Sequence, residues 1–498
     1  MIFILRSDDM KIKMRKTVMA MALVLTAFCH AEISGKAAVE RDIAAMEARN
    51  AAVEKSFPAA VSVLDYAGKA RTVGGKKVWT DAVNAALKAN RAVCIPASDE
   101  PYWIDGPLVV PSDRMIRAHG AVIRLLEPCG TVLVRNENAA DGTLKPVDRT
   151  EGDRDIFILG GRWEDWHVKR AGYGKSGRFN DLPRKKGGNF YGVSTLLYFG
   201  NVSTLVIRDV VIARASGFAI QCGDAEDVIC ENVKFDSCYA DGFHCNGNVR
   251  NLLVRDLSGE VGDDLVALNV YDWQDSSVNF GPGDTILCEN LVLHRGHPAV
   301  RLQPAKYRYA DGTVVDCSLR NVVMRGVRGI DCFKMYLQTP AYDIGTAHEW
   351  GEPGTAENIW FEDVEIDLDS PPNEFWTYMK SNPVRGHFGA FEIGCNLKGL
   401  HFRNVKVRFH CDRFPLSHLI CVGPKSYVHK MKDGTLREIF DPWVSCTVED
   451  VDIGGVAFSG TPPAEPVYAV AFDDINKDGE SSGRGVVKGV VGQPVLPD

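Results

Sequence analysis

From about residue 200 onward, short segments alternate apolar and polar residues, and each carries one Asn or Asp near its centre. Alternation with a period of two predicts β-strands. The shared residue recurs at irregular spacings of 23, 24, 34, 31, 42, 41 and 46 residues, at Asp209, Asn232, Asp256, Asn290, Asn321, Asp363, Asn404 and Asp450. A repeated unit with loops of variable length predicts a parallel β-solenoid, in which each turn, or rung, buries its apolar face against its neighbours. The repeated Asn or Asp disfavours the alternative, a β-sandwich with accidental similarity among its strands.

The segment 61–97 has a different pattern, in which a glycine turn precedes a short helix near residues 79–89 and then a strand that ends at Ile95-Pro96. This arrangement resembles the amino-terminal unit of the right-handed β-helices of the pectate-lyase superfamily, and the resemblance covers roughly residues 58–455. It implies an all-β, right-handed parallel β-helix whose open apolar end is capped by the N-terminal helix. Residues 32–57 are expected to form a helical or flexible lead-in, and residues 456–498 a tail that packs on or extends from the solenoid.

Three carboxylates in the segment 238–269 are spaced by one rung of the repeat. Asp241 precedes the pair Asp263-Asp264 by 22 and 23 residues, so the two positions would stack on neighbouring strands about 4.8 Å apart. Like charges at that distance raise the pKa of at least one carboxyl, which allows a protonated acid beside an ionised base. Turn chemistry at solenoid corners is the alternative reason for Asp-Gly and Gly-Asp pairs.

The order of these motifs resembles that of the polygalacturonases, glycoside hydrolase family 28. Asp241-Gly242 matches the end of the family's Asn-Thr-Asp-Gly motif, Gly262-Asp263-Asp264 matches Gly-Asp-Asp, and Gly296-His297 matches the start of Gly-His-Gly. Tyr239-Ala240 and Pro298 depart from the pattern, and residues 326–336 preserve the Arg-Ile-Lys motif only loosely. The resemblance implies that Asp263 is the general acid, that Asp241 and Asp264 activate water, and that His297 completes the catalytic set.

Further residues are candidates for substrate binding. Because the third and fourth motifs are altered, we expect the residues that hold the substrate to differ from those of the family. They are His244, Arg301, Arg328 and Lys334, together with Tyr271 and Trp273 in the insertion 271–284. His297 as an ordinary loop histidine and Lys334 as a solvated side chain are open alternatives. Basic residues also cluster in the segments 166–190 and 294–308, which would suit an anionic polysaccharide. An ordinary solvated loop is the alternative for both segments, and it is less favoured for the second.

The sequence therefore predicts a glycoside hydrolase that cleaves an acidic polysaccharide with inversion, its acid and base roughly 6.5 to 9.5 Å apart. A polysaccharide lyase on the same fold and a non-catalytic carbohydrate-binding solenoid remain alternatives. The net charge of −8 and the lack of a long basic run disfavour nucleic-acid binding. We expect a monomer without a cofactor or metal.

Residues 1–31 predict a cleaved signal peptide and hence a secreted or periplasmic protein. Basic residues precede an apolar stretch at 17–28 that is too short to span a bilayer, and 29–31 forms a small-x-small cleavage site. Thirteen of the 14 cysteines follow this site, mostly in apolar runs without close CxxC pairs, which predicts buried free thiols with at most a few disulfides. The segment 473–480 matches part of a calcium loop, but Gly485 replaces its bidentate Glu, so a polar turn is favoured.

Overall fold

The computed structural model describes residues 35–126, 132–139, 152–165, 195–271, 278–295, 300–308, 314–330, 332–336, 351–367, 389–410, 418–422, 426–430, 436–440, 447–461, 468–472 and 486–488. The described helices are α1 over residues 35–55, a 3-10 helix over Val63–Lys69 and α2 over Thr80–Ala89. Within the described ranges, no helix is long and apolar enough to cross a membrane. The predicted signal peptide, Trp273, His297 and the segment 473–485 lie outside these ranges.

The strands of the described chain are numbered in sequence order. They are β1 Val61–Ser62, β2 Arg71–Val73, β3 Lys76–Val78, β4 Ala92–Cys94, β5 Tyr102–Ile104, β6 Leu108–Val110, β7 Arg114–Arg117, β8 Val122–Leu125, β9 Val134–Asn136, β10 Asp153–Leu159, β11 Arg162–Glu164, β12 Leu197–Ala213, β13 Ile220–Asp236, β14 Phe243–Asn246, β15 Val249–Glu260, β16 Val266–Asn269, β17 Gly283–Arg295, β18 Val300–Leu302, β19 Ala305–Arg308, β20 Val314–Cys317, β21 Leu319–Arg328, β22 Phe333–Tyr336, β23 Gly351–Pro353, β24 Thr355–Asp367, β25 Gly389–Gly394, β26 Asn396–His410, β27 His418–Val422, β28 Ser426–Lys430, β29 Leu436–Phe440, β30 Thr447–Asp452, β31 Val456–Thr461, β32 Tyr468–Phe472 and β33 Val486–Lys488.

Most of the described strands stack in parallel, in register, along three faces of a right-handed parallel β-helix. The pairs β2–β3, β19–β20, β19–β23 and β28–β29 are antiparallel. The site face comprises β6, β9, the starts of β12 and β13, then β14, β16, β18, β22, β25, β27 and β32. The helix face runs from β1, β4, β7 and β10 through the middle of β12 and on to β26, β30 and β33. The predicted fold class is confirmed. Parallel pairing continues past residue 455, so the predicted tail contributes strands to the solenoid.

The recurring Asn and Asp residues are the corners of this solenoid. All eight adopt positive φ, between 50° and 60°, a conformation that Asn and Asp tolerate better than most side chains. Their amides link rungs, as where Asn232 Nδ2 donates to Asp209 Oδ1 at 2.6 Å. The strand register places six of these eight residues at the same corner of their rungs. Asn321 and Asp450 lie at a different corner, which comes five residues earlier in each rung. Gly326, also at positive φ, occupies the position that the repeat had assigned to Asn321.

Helix α1 covers the outer side of the helix face. Val39, Ile43 and Met46 of α1 pack against a row of apolar residues from successive rungs, among them Val206 and Leu253. Strands of this face are consequently apolar on both sides, because Leu205 and Ile207 point into the solenoid core while Val206 lies under α1. The lead-in predicted for residues 32–57 is thus a helix over residues 35–55 that belongs to the folded body.

A row of alternating charges anchors α1. One outward position of the helix face carries, from rung to rung, Arg208, Glu231, Arg255, Glu289, Arg325, Glu362 and Arg403. Three arginines of this row, each two rungs from the next, form ion pairs with glutamates of α1. The pairs are Arg208 with Glu54 at 2.8 Å, Arg255 with Glu47 at 2.7 Å and Arg325 with Glu40 at 2.9 Å. Seven helical residues rise about 10.5 Å, close to the roughly 9.6 Å of two rungs, so one helix edge matches every second rung.

The described residues include buried free thiols at Cys222, Cys230, Cys238, Cys245, Cys288 and Cys395, whereas Cys94 is only half-buried. Those buried free thiols lie in the solenoid core, where the sulfur atoms of Cys222 and Cys245, on neighbouring rungs, are 3.8 Å apart. The predicted buried free thiols are therefore found among the described residues. Cys129, Cys411 and Cys446 lie outside the described ranges.

Candidate active site

The carboxylate cluster lies where two consecutive rungs enter the site face. Asp241 directly precedes the turn into β14, and Asp264 holds the equivalent position before β16, because Phe243 pairs with Val266. The backbone N–H of Gly242 donates to the carbonyl of Asp264 at 2.9 Å. The one-rung offset expected from the sequence spacing is therefore present in the structure.

The glycines of both motifs permit this close approach of the rungs. A Cβ atom on Gly242 would lie 2.7 Å from the carbonyl oxygen of Leu265, and one on Gly262 would lie 2.4 Å from that of Tyr239. Both distances are far inside van der Waals contact. Backbone packing thus requires the glycines of the Asp-Gly and Gly-Asp-Asp motifs, while their aspartates supply the carboxylates of the cluster.

One carboxylate oxygen from each of Asp241, Asp263 and Asp264 lies within 4.8 Å of the other two. Their side chains differ in exposure, at 21% for Asp263, 5% for Asp241 and 1% for Asp264. Asp263 is therefore the member that faces solvent. These oxygens are closer together than the 6.5 to 9.5 Å gap expected for inversion, so the separation does not support that stereochemistry.

Two cations face the buried carboxylate from the next two rungs. Arg301 Nε lies 3.0 Å from Asp264 Oδ2, and Lys334 Nζ lies 3.6 Å from Asp264 Oδ1. Arg301 and Lys334 are register partners on β18 and β22, which fixes their positions side by side. The Lys334 side chain is only 2% exposed, so it is not the solvated lysine of the alternative interpretation.

The pKa of Asp264 is raised to about 7, chiefly by burial. The positive charges of Arg301 and Lys334 oppose this rise, whereas the negative charges of Asp263 and Asp241 add to it. Because the three carboxylates interact, the proton retained near neutral pH belongs to the cluster as a whole. The arrangement thus supplies a protonated and an ionised carboxyl side by side. The same oxygens could ligate a divalent cation, but Arg301 and Lys334 already provide positive charge to this cluster.

His244, predicted to bind substrate, is enclosed by protein side chains. Its side chain is fully buried, its Nδ1 lies 2.6 Å from Asp241 Oδ2, and its ring stacks on Phe218 with centroids 3.7 Å apart. Asn246, which sequence reasoning missed, contacts the other ring nitrogen, with its Nδ2 3.2 Å from Nε2. Both lie at outward positions of β14, so their polar character in an otherwise apolar strand was the available signal.

Two other predicted binding residues lie away from the cluster. Arg328 follows the corner at Gly326, so it lies on the third face of the solenoid, which runs from β5, β8 and β11 through the ends of the long strands. It is 62% exposed there and lies 4.0 Å from Glu365. Tyr271 is buried in the solenoid core against Phe280, with ring centroids 5.1 Å apart. Neither is available to contact a sugar bound at the cluster.

The structure adds Glu392 to the surroundings of the site. Glu392 is fully buried and is the register partner of Lys334 on the next rung. Its Oε1 accepts a hydrogen bond from the backbone N–H of Gly389 at 3.1 Å. A lone acidic residue within the apolar strand Gly389–Gly394 was the sequence signal, and only the register reveals its neighbour.

No protein-family model matches the sequence, and no curated protein matches it either. Among solved structures, a tailspike protein mutant of E. coli bacteriophage HK620 in complex with a hexasaccharide superposes with a TM-score of 0.50 at 10% identity, over 86% of this chain and 64% of that chain. The chain has the right-handed parallel β-helix fold. At this identity the similarity concerns the fold alone.

Two glycoside hydrolases are also similar in structure. The family 28 exopolygalacturonase of Yersinia enterocolitica has 15% identity and a TM-score of 0.49, over 88% of this chain and 79% of that one. The endo-xylogalacturonan hydrolase of Aspergillus tubingensis has 14% identity and a TM-score of 0.41, over 84% and 94%.

Proposed function

We propose that the protein is a glycoside hydrolase that cleaves the glycosidic bonds of a polysaccharide at the Asp241, Asp263 and Asp264 cluster. The observation that carries this proposal is the combination of a pKa of about 7 at Asp264 with two further carboxylates within 4.8 Å. Glycoside hydrolysis requires one carboxylic acid and one carboxylate at the same bond. This cluster offers both near neutral pH.

In the proposed reaction, Asp263 delivers the proton of the cluster to the departing glycosidic oxygen. It is the most exposed of the three carboxyls, so it can reach a sugar bound over the site face. Asp241 and Asp264 then hold and deprotonate a water, whose oxygen attacks the anomeric carbon. The bond from that carbon to the protonated oxygen breaks, and the water proton returns to the carboxylates.

Arg301 and Lys334 act on the carboxylates in this proposal. Both lie against Asp264, and their charge limits how far burial raises its pKa. Because Arg301 and Lys334 pair with Asp264, an acidic substrate would need other basic residues to bind it. The candidates are the basic residues of the segment 166–190 and the exposed Lys306, close to β18. Inversion of configuration remains part of the proposal on the motif resemblance alone.

Export to the periplasm or the medium also remains a proposal, resting on residues 1–31. Amino-terminal sequencing of the native protein should find a mature chain that begins near residue 32. An intact amino terminus on the native protein would contradict export through a cleaved signal. This outcome is independent of the test of activity.

The proposed activity is tested by incubating the purified protein with a panel of pectins, rhamnogalacturonans, sulfated galactans and neutral polysaccharides. New reducing ends with at least one substrate are expected, and the Asp263→Asn variant serves as the matched blank. The proposal is wrong if the wild-type protein releases no more reducing ends than the blank on every substrate that it binds. Such a result would favour a carbohydrate-binding solenoid.

A polysaccharide lyase is the second candidate, because Arg301 lies beside carboxylates, an arrangement that could neutralise a uronate and accept its C5 proton. A lyase breaks the chain by elimination and leaves an unsaturated uronate, whose ultraviolet absorbance grows with time. Hydrolysis produces new reducing ends without that absorbance. The two activities are therefore separated by one reaction mixture followed by both measurements.

A further inference from the structure

A buried chain of hydrogen bonds leads away from Asp241 along the site face. His244 Nδ1 lies 2.6 Å from Asp241 Oδ2, and Asn246 Nδ2 lies 3.2 Å from His244 Nε2. Gln221 Nε2 donates to Asn246 Oδ1 at 2.8 Å, and Gln221 Oε1 accepts from Thr195 Oγ1 at 2.7 Å. All of these side chains are fully buried except that of Asp241, so solvent does not compete for these contacts.

The orientation of the Asn246 amide is fixed by a backbone donor. The N–H of Val278 donates to Asn246 Oδ1 at 3.0 Å, and a backbone N–H has no acceptor role. The Asn246 atom that receives this bond is therefore the oxygen. The amide nitrogen consequently faces His244, and it also donates to the carbonyl of Asn269 at 3.2 Å.

This orientation determines the tautomer of His244. Since Asn246 presents an N–H donor, His244 Nε2 must be the unprotonated acceptor of the ring. The proton of the neutral imidazole then lies on Nδ1, which donates to Asp241. Protonation of Nε2 would set two N–H groups against each other in a buried space, where an unsatisfied donor is costly.

We infer that His244 is a positioning residue that, as a neutral imidazole protonated at Nδ1, holds Asp241 as an oriented carboxylate. This inference deepens the proposed function and rests on it for its catalytic meaning. Asp241 Oδ1 also accepts the backbone N–H of Asp264, at 3.3 Å, so both oxygens of Asp241 receive N–H donors. The proton of the cluster therefore resides on Asp263 or Asp264, and Asp241 is the base.

The first test measures the tautomer directly and needs no substrate. The protein is labelled with isotopic nitrogen in its 12 histidines, and the His244 signals are identified by their loss in His244→Phe. The expected spectrum shows a proton on Nδ1 and an unprotonated Nε2. In Asn246→Asp, the new carboxylate should accept from Nε2, so both nitrogens become protonated. A wild-type ring protonated at Nε2 would overturn the inference even if the enzyme is active.

The second test separates positioning from packing. His244→Phe keeps a ring against Phe218 but removes the donor, whereas His244→Asn keeps a donor at the δ position. The Phe variant should lower kcat about a hundredfold with KM nearly unchanged, because a misplaced catalytic group costs about that factor. The Asn variant should recover most of this loss. Equal losses in both variants, or a change confined to KM, would contradict the positioning role.

These two tests distinguish the inference from the proposed function. If no substrate is cleaved, the nitrogen spectrum still supports or overturns the tautomer. If the Phe variant fails to fold, loss of the same signals in His244→Asn identifies His244, and the wild-type and Asn246→Asp spectra then decide. Both the inference and the proposed function are supported if the enzyme is active, His244 has the expected tautomer, and kcat falls in His244→Phe but recovers in His244→Asn.

Discussion

Arg301 and Asp264 approach to 3.0 Å between Nε and Oδ2, although they belong to rungs whose strands begin 34 residues apart. Asp264 is almost completely buried, and burial of an unpaired carboxylate would be costly. Arg301, together with Lys334, supplies the compensating charge. Residues predicted as a substrate clamp therefore belong, in the structure, to the electrostatics of the carboxylate cluster.

Replacing single carboxylates tests their proposed roles. Asp263→Asn and Asp264→Asn should each lower kcat by at least about a hundredfold, the usual scale for loss of a general acid or base. Asp256→Asn is the matched control, because Asp256 is a corner residue that accepts a hydrogen bond from Asn290 on another face. Normal turnover by the Asp263 variant would assign the acid to another group. A proton NMR time course of the first-formed anomer tests inversion.

The pH profile should follow the proton of the cluster. The pKa of Asp264 is raised from 3.8 to about 7, so the cluster is protonated below about pH 7 and loses that proton above it. Because the proposed acid must carry this proton, kcat/KM should fall by about tenfold per pH unit above roughly pH 7. Activity that instead rises steadily through pH 9 would contradict a requirement for the protonated cluster.

The same raised pKa predicts a pH dependence of stability. Between the ordinary value of 3.8 and about 7, the folded carboxylate cluster that contains Asp264 holds a proton that the unfolded chain has released. The free energy of unfolding contributed by this group is therefore largest at low pH and falls as pH rises through that window, by on the order of a few kcal/mol. Urea unfolding at several pH values should show this decline in the wild type relative to Asp264→Asn. Parallel profiles for the two proteins would refute it.

Lys334→Met separates a tuning role from a substrate clamp. Removing the ammonium takes away a charge that lowers the pKa of Asp264, so the alkaline limb of the activity profile should move to higher pH. Arg328→Ala is the control and should leave kcat and KM unchanged, because Arg328 is exposed on another face. A rise in KM for Lys334→Met with an unmoved pH profile would restore the clamp interpretation.

Packing of α1 should contribute measurably to stability. Ile43→Ala removes a buried side chain from the contact with the helix face and should lower the free energy of unfolding by about 2 to 5 kcal/mol. Arg41→Ala is the control, because Arg41 is exposed and pairs only with its neighbour Asp42 among the described contacts. Chemical denaturation measures both changes. A negligible effect of Ile43→Ala would mean that α1 is not part of the cooperative unit.

The sequence by itself determined the strands, the corners and the rung spacing, because these depend on local preferences. Alternation specifies which side of a strand is buried, and Asn or Asp at positive φ specifies where the strand bends. The spacing of Asp241 and Asp264 equals one rung, so their proximity also followed from local counting. The repeat assigned Asn321 and Asp450 to the wrong corner. Each rung has two corners five residues apart, and either corner accepts Asn, Asp or Gly.

Only the tertiary structure decided which polar residues reach the site. Arg301 and Lys334 reach Asp264 because the register of β16, β18 and β22 aligns them, whereas one corner turns Arg328 to another face. His244 is buried between Asp241 and Asn246, and α1 covers strands that read as apolar on both sides. These outcomes depend on stacking between rungs whose loops vary in length, and such long-range register is not contained in any local pattern.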